Sequence, residues 1–381
     1  MSDNVDNKTF RFPNEPARFG TGDIDALLIY CSTNNASDIT IQTGEHVYAE
    51  IYGRLYKMTV RKLSHNEVSD ILNDIYGANG TAQIMSGQDI DTHHEIRPNR
   101  TDRYRFRINA TGCQIEGHTG IQITARTIPT DPPSLASMNL PQVLIDAIAP
   151  TQGVVYVTGA TGSGKSTLLA SIIRELAMKA DSNRKILTYE APIEFVYDRV
   201  EKTSCIVSQS EIPRHLPSFA AGVRNALRRK PHAILVGEAR DQETIAAVME
   251  AAMTGHPVYT TLHSNGVAET IRRLVTTFPQ AERSARTVDI FETVRVVIWQ
   301  MLIPTQDGKR TALREYLVFN EEVRDELLET DVEQVTATTR RMLAKYGQSM
   351  LDDARDKHKQ KLLSDRQFGL IEKSYLRSSK N

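Results

Sequence analysis

Nine consecutive residues carry the plainest chemistry in this chain. Gly159, Ala160, Thr161, Gly162, Ser163, Gly164, Lys165 and Ser166 match G-x-x-x-x-G-K-[ST], and Thr167 follows directly. Phosphate binding needs these residue types. Gly162 and Gly164 remove side chains so that backbone N–H groups can point at phosphate oxygens. The helix that follows adds the positive end of its dipole. Lys165 sets a charge beside the β- and γ-phosphates, and the Ser166 hydroxyl can ligate Mg²⁺. The flanks agree, because an apolar run (VVYV) precedes the motif and a helical pattern (TLLASII) follows it. A dinucleotide fingerprint is excluded, since Thr167 stands where its third glycine is needed.

Carboxylates and imidazoles recur at the ends of apolar runs. KILTYE ends at Glu190 with Glu194 four residues on, and AILVG is followed by Glu238. At the carboxyl end of a parallel strand such a group either holds Mg²⁺ and orients water or is a solvated turn residue. Gly237 occupies the position where many P-loop enzymes carry Asp. TGHPVYTTLH places His256 and His263 on either side of one expected strand, as γ-phosphate sensors or as hydrogen-bonded loop histidines. His93 and His94, with Asp91 and Glu95, resemble a metal cluster, but neighbours on a strand point to opposite faces. The alternation in YRFRIN sets Arg105 and Arg107 on one face, and Arg126 falls on another expected strand. They either pair with carboxylates or reach a nucleotide held by a neighbouring subunit, a role worth roughly 10³–10⁵ in rate.

The elements that must position these groups form a pattern. The 381 residues suggest two or three domains at about 150 residues each. Hydrophobic residues make up 40%, enough for real cores, and exclude a wholly disordered chain. No run reaches the roughly 18 apolar residues of a membrane span, and MSDNVDNKTF lacks the basic and apolar regions of a secretory signal. Cys31, Cys113 and Cys205 lie far apart, which fits a reducing compartment, so a cytoplasmic location is expected. Net charge −1 leaves no chain-wide footprint for nucleic acid.

SDITIQTG and DRYRFRIN alternate as half-buried strands, and LSHNEVSDILNDIYG reads as an amphipathic helix capped by Ser64 with Glu67 closing a capping box. Residues 22–126 are therefore expected as an α+β domain after an N-terminal extension, 1–21. Four of the 15 prolines fall in TIPTDPPSLASMNLP, so residues 127–142 are expected as an extended linker. GVVYVTG, KILTYE, AILVGE and PVYTTLH are continuous apolar runs alternating with helical patterns. That predicts a doubly wound, mainly parallel α/β domain over 143–319, with its site at the carboxyl ends of the strands. Residues 320–381 are expected as a charged helical region, with DARDKHKQKLL a solvated helix face.

With these motifs in hand, residues 22–320 resemble secretion ATPases of the PilT/VirB11 class. Its four signatures occur in order: GATGSGKST, TYEAPIEF, ILVGEARD and TGHPVYTTLH. SDITIQTG and ARTIP resemble the ends of its PAS-like N-terminal domain. Within the class the similarity is greatest to the type IVB (Dot/Icm) secretion and conjugal-transfer branch, through segments such as GRLYKMTVRKLSHNE and QSEIPRHLPSFAAGVRNALRRKP. The resemblance implies a RecA-like ATPase domain behind a PAS-like domain. It also implies a cytosolic homohexamer using ATP and Mg²⁺, with arginines crossing subunit boundaries. Its partners would be components of a secretion or conjugation machine at the inner membrane. By motif, Glu194 becomes the water-activating residue, Glu238 a Mg²⁺ or water ligand, and His263, less directly His256, a γ-phosphate sensor. Ala191 stands where pilus-retraction ATPases carry Asp, and Lys230 and His232 replace two acids of their usual pattern. Three readings compete with a type IVB motor: a nucleic-acid translocase suggested by RNALRRK, a pilus-retraction ATPase, and a scaffold that binds ATP without turnover.

Overall fold

The computed structural model describes residues 10–128, 131–306 and 310–378. Residues 1–9 of the expected extension, 129–130 of the expected linker and 379–381 of the expected C-terminal region lie outside the described residues. The chain divides into two compact units, one of residues 1–130 with 192–195, the other of 131–191 with 196–381.

The first unit runs α1 (Thr21–Thr33), β1 (Ala36–Gln42), β2 (Tyr48–Ile51), β3 (Arg54–Lys57), α2 (His65–Tyr76), α3 (Gly80–Met85), β4 (Ile90–Ile96), β5 (Tyr104–Ile115) and β6 (His118–Ile128). Its strands form one sheet in the order β3-β2-β1-β6-β5-β4, every neighbouring pair antiparallel. Alternation gives the sheet two unlike faces. Ile39, Ile41, Phe106, Ile108, Ile123 and Ala125 join Leu27, Leu28, Val68 and Ile71 of α1 and α2 in one core. Arg105, Arg107, Arg126 and Asp38 occupy the opposite register positions. Ser64 caps α2 and Glu67 closes the box, as the sequence predicts. Residues 10–21 are not an appendage: Phe19 is buried in the core, with Phe10 and Phe12 packed against it, because three aromatics in ten residues cannot stay in water cheaply.

The second unit begins with a 3₁₀ turn at Leu135–Met138 capped by Ser134, so the proline-rich segment is less extended than expected. It continues through α4 (Gln142–Ala147), β7 (Gly153–Thr158), α5 (Lys165–Met178), β8 (Arg184–Glu190), β9 (Cys205–Glu211), α6 (Phe219–Leu227), β10 (Ala233–Val236), α7 (Gln242–Met253), β11 (Pro257–Leu262), α8 (Val267–Thr276) and α9 (Arg283–Thr293). Then come β12 (Val294–Pro304), β13 (Arg310–Val318), α10 (Glu321–Leu328), α11 (Val335–Tyr346), α12 (Met350–Lys359) and α13 (Asp365–Ser378). The sheet order is β13-β12-β7-β11-β10-β8-β9, all parallel except β13 against β12. β7, β10 and β11 are buried at every residue, as strands covered on both faces must be.

The C-terminal region is helical, as expected, and its helices pack into the fold. Val323, Leu327, Val335, Met342 and Leu343 share the main core with β7, β10 and β11. Met350, Ala354 and Leu363 pack on Ile303 and Leu313 of the β12–β13 hairpin. The charge of DARDKHKQKLL hides apolar residues at its two ends, with Ala354 and Leu363 both buried. Among the described residues no helix is long and apolar enough to cross a membrane.

Candidate active site

Parallel register brings four strand ends to one edge of the second unit. β7 pairs with β11 so that Thr158 stands opposite Leu262, and β8 pairs with β10 so that Tyr189 stands opposite Val236. Gly159, His263 and Gly237 lie just past these ends, and Glu190 is the last residue of β8. Short hydrogen bonds lock the edge. Gly237 N–H donates to Tyr189 O at 2.7 Å, Thr261 Oγ1 to Gly237 O at 2.7 Å, and Ala239 N–H to Thr261 O at 3.0 Å.

From this edge residues 159–164 loop into α5. Gly162 and Gly164 have φ of 76° and 84°, the left-handed region that favours glycine, and Gly164 is the N-cap of α5. Gly159, at φ 143°, is pressed so closely that a Cβ would stand 2.3 Å from Gln300 O. The Lys165 ammonium donates to the carbonyls of Gly159 and Ala160 at 2.9 and 2.8 Å, which fixes its charge at the loop's mouth. Ser163 Oγ is buried without a hydrogen-bond partner, so the loop holds an unsatisfied polar atom. Ala160, Thr161, Gly162 and Ser166 are exposed and Thr167 is half-buried. An exposed loop of positive-φ glycines opening onto a helix N-terminus, with a lysine at its mouth, fits a phosphate chain.

Glu238 and His263 join the lysine. His263 Nε2 lies 3.5 Å from Glu238 Oε1, and Arg240 approaches the same carboxylate at 3.8 Å. Burial, then the Lys165 charge, pulls the His263 imidazole below the ordinary histidine range, with Glu238 opposing. The ring is therefore neutral at pH 7. Arg273 donates to His263 O at 2.7 Å and anchors its backbone. The Ser166 hydroxyl and the Glu238 carboxylate are hard oxygen donors of the kind Mg²⁺ takes alongside substrate phosphates.

Other expected residues stand elsewhere. His256 precedes β11, at the opposite end from the loop, roughly 20 Å from His263 at ~3.3 Å per strand residue. Its ring contacts Ala251 O and Thr254 Oγ1, so the expectation of a phosphate sensor there is corrected. The Glu190 carboxylate accepts from Thr188 Oγ1 at 2.6 Å and Gln209 Nε2 at 3.0 Å, which commits it to holding β8 and β9. Glu194 groups with the first unit. There Arg105 is 2% exposed. Its guanidinium donates to the carbonyls of Glu194 and Ile193, both at 2.6 Å, and lies 3.4 Å from Glu95. Burial and these bonds overturn the expectation that Arg105 is displayed to a neighbour. Arg107 pairs with Asp91 at 2.6 Å and Arg126 with Asp38 at 2.8 Å. His94 bonds Asp25 at 2.7 Å. Sequence reasoning missed Gln300, whose only signal is a lone amide inside the apolar run of β12.

The fold and the loop together define a P-loop ATPase. Residues 22–344 match the Type II/IV secretion system protein family, and the chain belongs to it. It is similar over 95% of its length to the ATPase DotB of Legionella pneumophila, with 62% identity, TM-score 0.89 and 98% of that chain covered. The Yersinia pseudotuberculosis ATPase DotB shows 33% identity and TM-score 0.81 over 95% of this chain and 96% of that one. The type IV pilus retraction ATPase PilT of Pseudomonas aeruginosa is 34% identical over 316 residues, 82% of this chain and 87% of PilT. The chain is therefore an ATP hydrolase of the PilT/VirB11 class, closely DotB-like.

Proposed function

We propose that the chain is one subunit of a cytoplasmic homohexamer that hydrolyses ATP to drive a type IVB, Dot/Icm-like secretion or conjugal-transfer machine, recruited peripherally to the inner membrane. One observation carries this reading: the 62% identity to Legionella pneumophila DotB runs through both units. The loop amides and Lys165 bind the phosphate chain. Ser166 and Glu238 would hold Mg²⁺, and the ion would supply charge neutralisation to the phosphate chain. Glu194 orients and deprotonates the attacking water. His263, neutral and beside Glu238, donates a hydrogen bond to the γ-phosphate and senses its loss. Arg107 and Arg126, at 38% and 61% side-chain exposure, supply charge to a neighbouring subunit's site.

A pilus-retraction role is the second reading, supported by the PilT similarity. Ala191, Lys230 and His232 weigh against it. Purified Lys165→Ala protein should lose ATP hydrolysis by at least 10²-fold, an effect on the order of one lost transition-state donor or more. Wild-type turnover by that variant refutes the site. A scaffold would bind ATP and release it intact in single-turnover measurements. Hydrolysis stimulated by DNA with a steep salt dependence would instead favour a translocase.

A further inference from the structure

A line of buried polar groups leads from the phosphate loop to the C-terminal helices. Gln300 lies in the middle of β12 and is 1% exposed. Its Nε2 donates to Ser163 O at 2.8 Å. It also touches both ends of the loop: a Cβ on Gly159 would strike its backbone oxygen, and one on Gly164 would stand 3.1 Å from Nε2. Its other amide atom, Oε1, accepts from Arg314 Nε at 3.3 Å, and the two residues are direct cross-strand partners. Arg314 N–H, on the edge strand β13, donates to Asp353 Oδ2 of α12 at 2.7 Å. Lys357, one turn further along α12, donates to Asp353 Oδ1. Arg314 and Asp353 are 6% and 9% exposed, so the line is shielded from water along its length.

An amide suits the central position. Ser163 O and Arg314 Nε need opposite partners, an N–H and an acceptor, and a glutamine supplies one of each. A buried carbonyl left without its donor costs as much as a broken hydrogen bond, so Gln300 fixes where Ser163 stands. Ser163 lies between Gly162 and Gly164, and its placement sets the direction of the amides that meet phosphate. α12 in turn fixes β13 through Asp353 and the apolar contacts of Met350 and Ala354 with Ile303 and Leu313.

We propose that Gln300 is a positioning residue for the phosphate loop, and that α12 sets it through Asp353 and Arg314, so that the C-terminal helices govern affinity for nucleoside triphosphate. This rests on reading residues 159–167 as the ATP site. It gives residues 350–359 a role that their sequence does not announce: a partner pressing on α12 would change nucleotide affinity without touching the nucleotide.

Gln300→Glu separates positioning from packing. The new carboxylate keeps the acceptor facing Arg314 and gains an ion pair there. It loses the donor facing Ser163 and sets a negative charge against a carbonyl. The full-length variant should still fold while its Kd for a fluorescent ATP analogue rises about tenfold, somewhat more than one net hydrogen bond is worth. Asp353→Asn should raise Kd about threefold with kcat within about twofold of wild type. Lys165→Ala is measured alongside. If it abolishes binding while Gln300→Glu binds as wild type does, Gln300 only packs and the inference fails with the site intact. If Lys165→Ala binds as tightly as wild type, the site itself is misassigned. Should Gln300→Glu fail to fold, Asp353→Asn decides, and an unchanged Kd there overturns the relay.

Discussion

His263 and Glu315 show how burial sets protonation at single residues. His263 is held below the usual histidine range by burial and by Lys165. An imidazole held below its usual range takes up a proton only at lower pH than an ordinary one, and it can donate a hydrogen bond in either state. ATPase activity should therefore show no loss that follows the titration of an ordinary imidazole, and His263→Ala should lower kcat about 10²-fold, the effect of losing one transition-state donor. A variant within about threefold of wild type would remove His263 from the chemistry. Glu315 is 6% exposed on β13. Burial raises its pKa to about 7, against the opposing hydrogen bond from Val267 N–H at 2.8 Å. Unfolded, the group loses its proton near ~4.3. Between those values the native state binds more protons, so this residue's contribution to stability falls as pH rises. Glu315→Gln cannot ionise. It should gain on wild type by up to ~3 kcal/mol between pH 5 and 8. Calorimetric melting at both pH values checks this, and parallel curves for the two proteins would contradict it.

At the scale of elements, the same physics decided what could be read in advance. β7, β8, β10 and β11 are short apolar runs between helical patterns, and each is a strand. Ser64 and Glu67 announce the start of α2 through a capping box that depends on local spacing alone. β9 escaped notice because CIVSQSE has too few apolar residues to mark a period, and it is held instead by β8 alone on the sheet's edge. The two histidines of TGHPVYTTLH look equivalent in sequence, and only strand direction separates them. His263 follows β11 and meets the loop, whereas His256 precedes it. Arg105 misled because an arginine on a strand reads as exposed, while here two backbone carbonyls from a distant segment satisfy it. The region after residue 320 is helical as expected, but the solvated face expected of DARDKHKQKLL is partly buried, for a related reason. Composition averages over faces, but Val323 and Leu327, four apart, put one stripe into the core. Leu327→Ala should accordingly cost about 2–5 kcal/mol. Urea unfolding measures that loss, and a change under about 0.5 kcal/mol would return α10 to the solvated tail that its charge suggests.

For the whole molecule, the proposed ring would let an arginine of one chain serve the nucleotide of its neighbour. Glu194 and the arginines of the first sheet belong to one compact unit, and Lys165, Glu238 and His263 to the other. Arg126 is the better of the two exposed arginines to act across a boundary. Its side chain is 61% exposed, and its pairing with Asp38 is a surface ion pair of the kind worth at most about 1 kcal/mol. Giving up that pair for a phosphate costs little, whereas an arginine supplied in trans can lower a barrier by roughly 4–7 kcal/mol. Arg126→Ala and Glu194→Gln should each be nearly inactive alone. Mixed before assembly, they form some boundaries at which an intact Glu194 meets an intact Arg126, so turnover should return to a measurable fraction of wild type. Total ATPase activity of the wild-type chain should likewise climb more steeply than linearly with concentration until rings are complete. Strict proportionality to concentration, with no recovery in the mixture, would mean that each chain hydrolyses ATP by itself.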